Sequence, residues 1–303
     1  MIVRQPGFDA WESNGHSDDE ARMTAADAIT VDLACRDHPG DPPAVVAMHG
    51  LASNARWWDL VAARLRKNRL VAPDLRGHGQ SPKPDDGYGL DAVTADVVAL
   101  LDRLALDRVL AVGHSWGASV ALQLAAEHPA HVLGCVCVDG GLGNLRARFP
   151  GGWAEAEDAM RPPDLVGIPA ERIRGWARGG ALADGSDPDS AAEILLANFE
   201  PLDPADPDGP QRPRLRLEHH MQIARALFEL DGLALARRVE VPIVAVLAEG
   251  EASAWLDAKR DAAAEAQVVL GDRLRVVWVR GEHDLPVQRP DDVAREIAAL
   301  LPD

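Results

Sequence analysis

Short apolar runs recur along the chain, and stretches with helical spacing separate them. Ala44–His49 (AVVAMH) is one such run, ending at Gly50, and Val109–Gly113 (VLAVG) and Val132–Val138 (VLGCVCV) have the same texture. Runs of this length without polar alternation suit strands covered on both faces, as in a parallel sheet. Leu70–Pro73 reads as another strand, and Ile29–Cys35 alternates as a half-buried strand does before the turn-like DHPGDPP. Between the runs, Ala55–Leu65, Leu90–Leu106 and Ala118–His128 read as helices, the last stopped by Pro129. Strand and helix taking turns predicts an α/β fold, with a mostly parallel sheet and crossover helices on both faces.

The rhythm breaks from about Gly140 to Asp231. Loops such as DGSDPDS and EPLDPADPDGP separate short helical pieces there, and Glu218–Leu230 has the clearest helical pattern. Alternation resumes with a strand at Pro242–Leu247, a helix over Ala254–Val268, a strand at Arg275–Val279 and a last helix from Pro290 to Leu301. The expected organisation is an irregular arm over residues 1–24, a core built from 25–139 and 236–303, and an inserted cap or lid over 140–235.

Composition narrows the function. The 303 residues, 47% hydrophobic, suffice for one large domain with an insertion. Lysine and arginine total 31 against 48 aspartates and glutamates, a net charge of −17. A surface of that sign repels phosphate backbones and anionic headgroups, which argues against nucleic acid or membrane as partner. Cys35, Cys135 and Cys137 make no disulfide framework, and the last two share a strand face as small hydrophobes. No apolar stretch reaches membrane-span length and the N-terminal twenty residues lack an apolar signal region, so a cytoplasmic address is expected.

The strongest chemical signal is Gly113-His114-Ser115-Trp116-Gly117, between an apolar strand and a helix. A serine hydroxyl attacks only if it is exposed and held beside a base. A sharp strand-to-helix turn exposes it, and crowding two residues either side favours glycine at both. The helix start also directs free N–H groups toward the serine. A second element is His49-Gly50-Leu51, where glycine allows close approach, so that the N–H groups of Leu51 and Trp116 would form an oxyanion hole. Gly281-Glu282-His283-Asp284 follows a late strand, and chain order makes His283 the candidate base. His49, Trp57, His219 and His220 are candidates for contacting substrate, although His49 better suits an orienting, hydrogen-bonded role within its loop and His219 and His220 better suit solvated helix positions. Asp74-Leu75-Arg76-Gly77-His78-Gly79 suits a loop-fixing role, with Arg76 in an ion pair. Glu218-His219-His220 and Glu282-His283-Asp284 lack metal-ligand spacing, so neither metal nor cofactor is expected.

Taken together, HGLASNARWWD, APDLRGHGQS, VGHSWGA, VDGG and RGEHD resemble the α/β-hydrolase family in order and spacing, over roughly residues 40–140 and 240–303. Trp116 after the nucleophile also looks like haloalkane dehalogenases and epoxide hydrolases, which place an aspartate where this chain has Ser115. The serine points instead to esterases, lactonases, carbon–carbon bond hydrolases and perhydrolases. The family's orienting acid usually follows the strand read at 242–247 in a G-x-x-D context. Here that segment is Ala248-Glu249-Gly250-Glu251. Counting places Glu251 first, with Asp139 at the end of CVCVD as the alternative and Glu249 behind both.

The resemblance implies a serine hydrolase acting on a carboxylic ester or lactone, with Ser115, His283 and Glu251 or Asp139 as its triad. Trp153, Trp176, Phe199, Met221 and Phe228 in the lid would favour an apolar substrate portion. The alternatives are a carbon–carbon hydrolase, a lyase or cyclase on the same site, and a non-catalytic ligand receptor. The expected partner is a small-molecule substrate, and a homodimer stays open.

Overall fold

A computed structural model describes residues 30–302, so the arm expected over 1–24 and the first core residues lie outside the described residues. Seven strands form the main sheet: β1 (Cys35–His38), β2 (Asp41–Met48), β3 (Asn68–Pro73), β4 (Val109–His114), β5 (Val132–Val138), β9 (Ile243–Glu249) and β10 (Leu274–Arg280). Their order is β1-β3-β2-β4-β5-β9-β10, with β1 antiparallel to β3 and the rest parallel. This is the α/β-hydrolase fold.

One expectation is corrected at the start. Among the described residues, the strand read over Ile29–Cys35 begins at Cys35 instead, because pairing with Leu70–Pro73 at the sheet edge decides its position and local alternation does not. The helix read over Ala55–Leu65 is a 3₁₀ turn at Ala55–Trp58 followed by the short α1 (Asp59–Ala62).

Alternation along the central strands splits the core into two layers. Val46, Met48, Ala111, Cys135, Cys137, Ala245 and Leu247 face one layer, which α2 (Leu90–Arg103) and α3 (Trp116–Glu127) cover. Val45, Ala47, Leu110, Val112, Val136, Val138, Val244 and Val246 face the other. That face is covered by α1, with α10 (Leu285–Gln288) and α11 (Pro290–Ala298). Each fully buried Val or Leu contributes roughly 1.5–3 kcal/mol of transfer free energy, so the sheet is a stiff platform for the loops at its C-terminal edge. Burial also pushes the Cys137 thiol up to about 12, which makes it an inert packing group.

Between β5 and β9 the chain makes α4 (Trp153–Met160), β6 (Ile168–Pro169), α5 (Ala170–Gly179), α6 (Pro188–Leu196), β7 (Phe199–Pro201), β8 (Pro210–Pro213), α7 (Leu217–Glu229) and α8 (Gly232–Arg237). Strands β6, β8 and β7 form a small antiparallel sheet of their own. Helix α8 and α9 (Ala254–Leu270) return to the first core layer. No helix among the described residues is long and apolar enough to cross a membrane.

Candidate active site

The loops that follow β2, β4, β5 and β10 meet at one edge of the sheet. Ser115 sits between β4 and α3 with φ 53 and ψ −118, a backbone conformation that costs a non-glycine residue energy and that the surrounding turn imposes. Its flanking glycines are sterically required. A Cβ on Gly113 would lie 2.0 Å from the Gly117 carbonyl oxygen, and one on Gly117 would lie 2.3 Å from that of Met48. The Ser115 N–H donates to the Val138 carbonyl at 2.8 Å, which ties the turn to the end of β5. Trp116 opens α3, so its N–H has no acceptor within the helix.

Strand β2 pairs Met48 with Gly113, so the His49-Gly50-Leu51 loop emerges beside the serine turn. A Cβ on Gly50 would come within 3.1 Å of both the Ser115 Cβ and His114 Nδ1. Leu51 therefore follows a residue that touches the nucleophile turn, which suits the expected pairing of its N–H with that of Trp116.

His49 is fully buried and does not line a pocket, a correction to its candidacy as a substrate contact. Its Nε2 accepts the Leu75 N–H at 3.0 Å and its Nδ1 donates to the Gly50 carbonyl at 2.8 Å. Burial holds its imidazole down at about 4, and the ring stays neutral. His78 extends the same scaffold. Its Nδ1 donates to the Arg76 carbonyl and its Nε2 accepts the Ala52 N–H at 3.2 Å. Its ring stacks on Trp116 and meets His49 edge-on. Asp74 fixes the loop from the other side, accepting from the N–H groups of Ala55 and Gln80. Arg76 forms a buried ion pair with Asp96 at 2.6 Å, as expected of it.

His283 is placed by its backbone and its ring. Its carbonyl accepts from His114 Nε2 at 2.9 Å, and the two rings lie 4.8 Å apart. Burial holds His114 down at about 3, so this imidazole is a neutral strut. His283 Nδ1 bonds Asp139 Oδ2 at 2.7 Å. Asp139 lies at the end of β5 with φ 45, and its side chain is 1% exposed against 52% for His283. A Cβ on Gly140 would lie 2.3 Å from the Ser115 carbonyl oxygen, so the turn that carries Asp139 packs directly on the Ser115 backbone.

Glu251 does not make this contact, which corrects the first choice of acid. It is exposed on the loop after β9, and Glu249 pairs with Arg260 at 2.9 Å. Asp139 instead gathers three donors: His283 on Oδ2, and the Ala248 N–H (2.8 Å) and Lys259 Nζ (2.6 Å) on Oδ1. Burial alone would raise its pKa, but the His283 and Lys259 contacts outweigh that and hold the carboxyl below its ordinary value. For His283 the balance is similar. Burial pushes its pKa down, yet Asp139 and the nearby Asp284 raise it above the ordinary imidazole value.

The remaining candidates sit elsewhere. Trp57 is packed in the second core layer rather than facing substrate, 5% exposed. His219 is fully buried, stacked on Tyr88 and hydrogen-bonded to its hydroxyl at 3.0 Å. His220 bonds the Met160 carbonyl. His219 serves the junction between α7 and the core, His220 ties α7 to α4, and neither is placed as a free substrate contact. Trp153 and Phe228 pack edge to face, while Trp176 is exposed.

Three residues with a place at this site have no motif of their own: His114, His78 and Lys259. His114 and His78 lie inside motifs read for their neighbours. Lys259 had one faint signal, as one of only three lysines in an arginine-rich chain.

The chain belongs to the α/β-hydrolase fold family, whose model matches residues 43–198. It is 37% identical over 157 residues to the lipase LipV of Mycobacterium tuberculosis, covering 52% of this chain and 58% of that protein. It is 28% identical over 307 residues to a fluoroacetate dehalogenase of Burkholderia, covering 94% of each. The chain spans between 30% and 55% of the length of several other curated relatives that it matches. The crystal structure of E-2-(acetamidomethylene)succinate hydrolase superposes with a TM-score of 0.69 at 24% identity, over 89% of this chain and 95% of that one. That likeness speaks for the fold.

Proposed function

We propose that the protein is a serine hydrolase that cleaves a carboxylic ester or lactone through an acyl-enzyme on Ser115. The observation that carries this reading is the 2.7 Å bond from His283 Nδ1 to the buried Asp139, at the foot of the strained Ser115 turn. With Nδ1 committed to a carboxylate, Nε2 is the free lone pair, which is the tautomer a general base needs.

His283 Nε2 takes the Ser115 proton as Oγ attacks the substrate carbonyl. The Leu51 and Trp116 N–H groups receive the oxyanion. His283 then delivers the proton to the leaving oxygen, and water attacks the acyl-enzyme by the same route. Asp139 stays ionised throughout and stabilises the imidazolium.

A cleft of about 410 Å³ runs from Asp139 and His283 between residues 140–148 and α9. Leu142, Leu145, Ala147, Leu247, Trp255 and Ala258 line it beside the charged Arg148, Lys259, Asp261 and Glu265, and an apolar acyl or ring portion extending past His283 would meet the first set. We read the segment between β5 and β9 as a cap over this edge. Asn54, next to the oxyanion loop, donates to the Ile194 carbonyl, and Gln222 donates to that of Asp85.

The test is labelling with a fluorophosphonate, read by intact mass, beside turnover of a panel of activated esters. One adduct on the wild type, none on Ser115→Ala, and ester turnover lost in step is the expected result. An adduct without ester turnover would move the reading to carbon–carbon cleavage or a non-hydrolytic reaction. No adduct on the folded wild type would overturn it in favour of a ligand-binding role.

A further inference from the structure

The acid of this site carries a cation. Lys259, in the second turn of α9, places Nζ 2.6 Å from Asp139 Oδ1 and 3.1 Å from the Ala248 carbonyl. The Ala248 N–H reaches the same Oδ1 at 2.8 Å. One carboxylate oxygen is thus saturated from the β9 side, and only Oδ2 is left to face His283. We infer that Lys259 is a positioning residue: it locks the rotation of Asp139 and partly neutralises the charge that Asp139 presents to His283, so the base sheds its proton at a lower pH than a bare aspartate would set.

The physical case rests on the pairing geometry. A buried aspartate held by a neutral amide alone would offer its full charge to the imidazolium and make His283 a base that stays protonated through neutral pH. An ammonium on the far oxygen withdraws part of that stabilisation while keeping Asp139 ionised. Its side chain is 19% exposed, so the pair is shielded from bulk water and salt. Lys259 also contributes a repulsive charge to His283 directly.

The other groups around the imidazole do not replace it. Asp284 on the same turn is anionic in sign, His114 from β4 is neutral, and Glu251 and Glu282 line the adjoining cleft with Lys259. Arg148, across the neighbouring cleft, lies over the Trp255 ring at 4.4 Å and donates to the Ala254 carbonyl. Among these groups, Lys259 is the cation bonded to the acid.

The catalytic consequence depends on the serine-hydrolase reading, whereas the electrostatic one does not, and the experiment separates them. The His283 imidazole is titrated by NMR in the wild type, Lys259→Gln, Lys259→Met and Lys259→Arg, and the acid limb of kcat/KM is recorded for each. Loss of the charge in Lys259→Gln and Lys259→Met is expected to raise the His283 midpoint by about 1 pH unit, with Lys259→Arg close to wild type. At a pH one unit below the wild-type midpoint, that shift alone lowers kcat/KM roughly tenfold. Lys259→Gln keeps a donor on Oδ1, so it decides the matter even where Lys259→Met fails to fold. A His283 titration in Lys259→Gln that superposes on the wild type overturns the inference. A wild type with no fluorophosphonate adduct would sink the hydrolase reading and leave the titration to judge Lys259 alone.

Discussion

Strands β5 and β9 lie side by side and parallel, and each ends in a carboxylate within reach of the same edge, yet the two ends differ in kind. At the end of β5, Asp139 is buried, held in a left-handed backbone turn and bonded by three donors. At the end of β9, Glu249 and Glu251 lie in exposed positions, and the strand's contribution to the site is the Ala248 peptide and Lys259 of the following helix. The strand that by family resemblance would carry the acid here supports the carboxylate that bonds His283. A carboxylate orients a histidine by being desolvated, anchored and aimed, and its count along the chain settles none of those.

The glycines that follow give the largest test of the contrast. Gly140→Ala would drive a methyl into the Ser115 backbone, which cannot swing away, and is expected to cost about 3 kcal/mol or more in denaturant midpoints. At the β9 end, Gly250→Ala meets only the exposed Glu282 carboxylate and is expected to cost under about 0.5 kcal/mol. Equal losses would mean that the two turns are equally constrained, and the comparison would fail.

A third strand end sharpens it. His49, after β2, holds the Leu75 N–H and is sealed from solvent, so His49→Ala is expected to lose about 1–3 kcal/mol of stability through an unpaired buried donor. Urea unfolding and ester kinetics together check this. A large rise in KM with stability unchanged would restore His49 as a substrate contact.

The pH profile reads the β5 end directly. Burial pushes the His283 pKa down, but Asp139 and Asp284 raise it above 6.5, and the base works only when neutral. Activity is therefore expected to rise with pH through a midpoint above 6.5 and to fall away on the acid side. A midpoint below 6.5 would mean that burial and Lys259 outweigh Asp139 and Asp284 at the imidazole.

The smallest effect belongs to Glu249. Its pair with Arg260 is half exposed on both sides, so Glu249→Gln is expected to change stability by at most about 0.5 kcal/mol and turnover not at all.

What the chain disclosed in advance follows from what each feature depends on. Val132–Val138 was legible to the residue, because a continuous apolar run ends sharply at Asp139. The Ser115 turn was legible because strand, glycines and helix are adjacent in sequence. The carboxylate bonded to His283 was not, because Glu251 and Asp139 differ in burial and in donors supplied from Ala248 and Lys259, more than a hundred positions beyond Asp139. The orienting role of His49 was legible from its loop, but its partner was hidden for the same reason, since Leu75 lies on another loop. The small sheet in the insertion was hidden by prolines in all three of its strands, residues that local reading assigns to loops.

We propose that Asp139, on the end of β5, orients His283. Parallel kcat/KM measurements on an activated ester for Asp139→Asn and Glu251→Gln, with folding checked by circular dichroism, decide between the two carboxylates. Turnover is expected to fall by about 10³–10⁴ for Asp139→Asn and by no more than about twofold for Glu251→Gln. A folded Asp139→Asn that retains near wild-type turnover, or a Glu251→Gln that loses it, would overturn the assignment of Asp139.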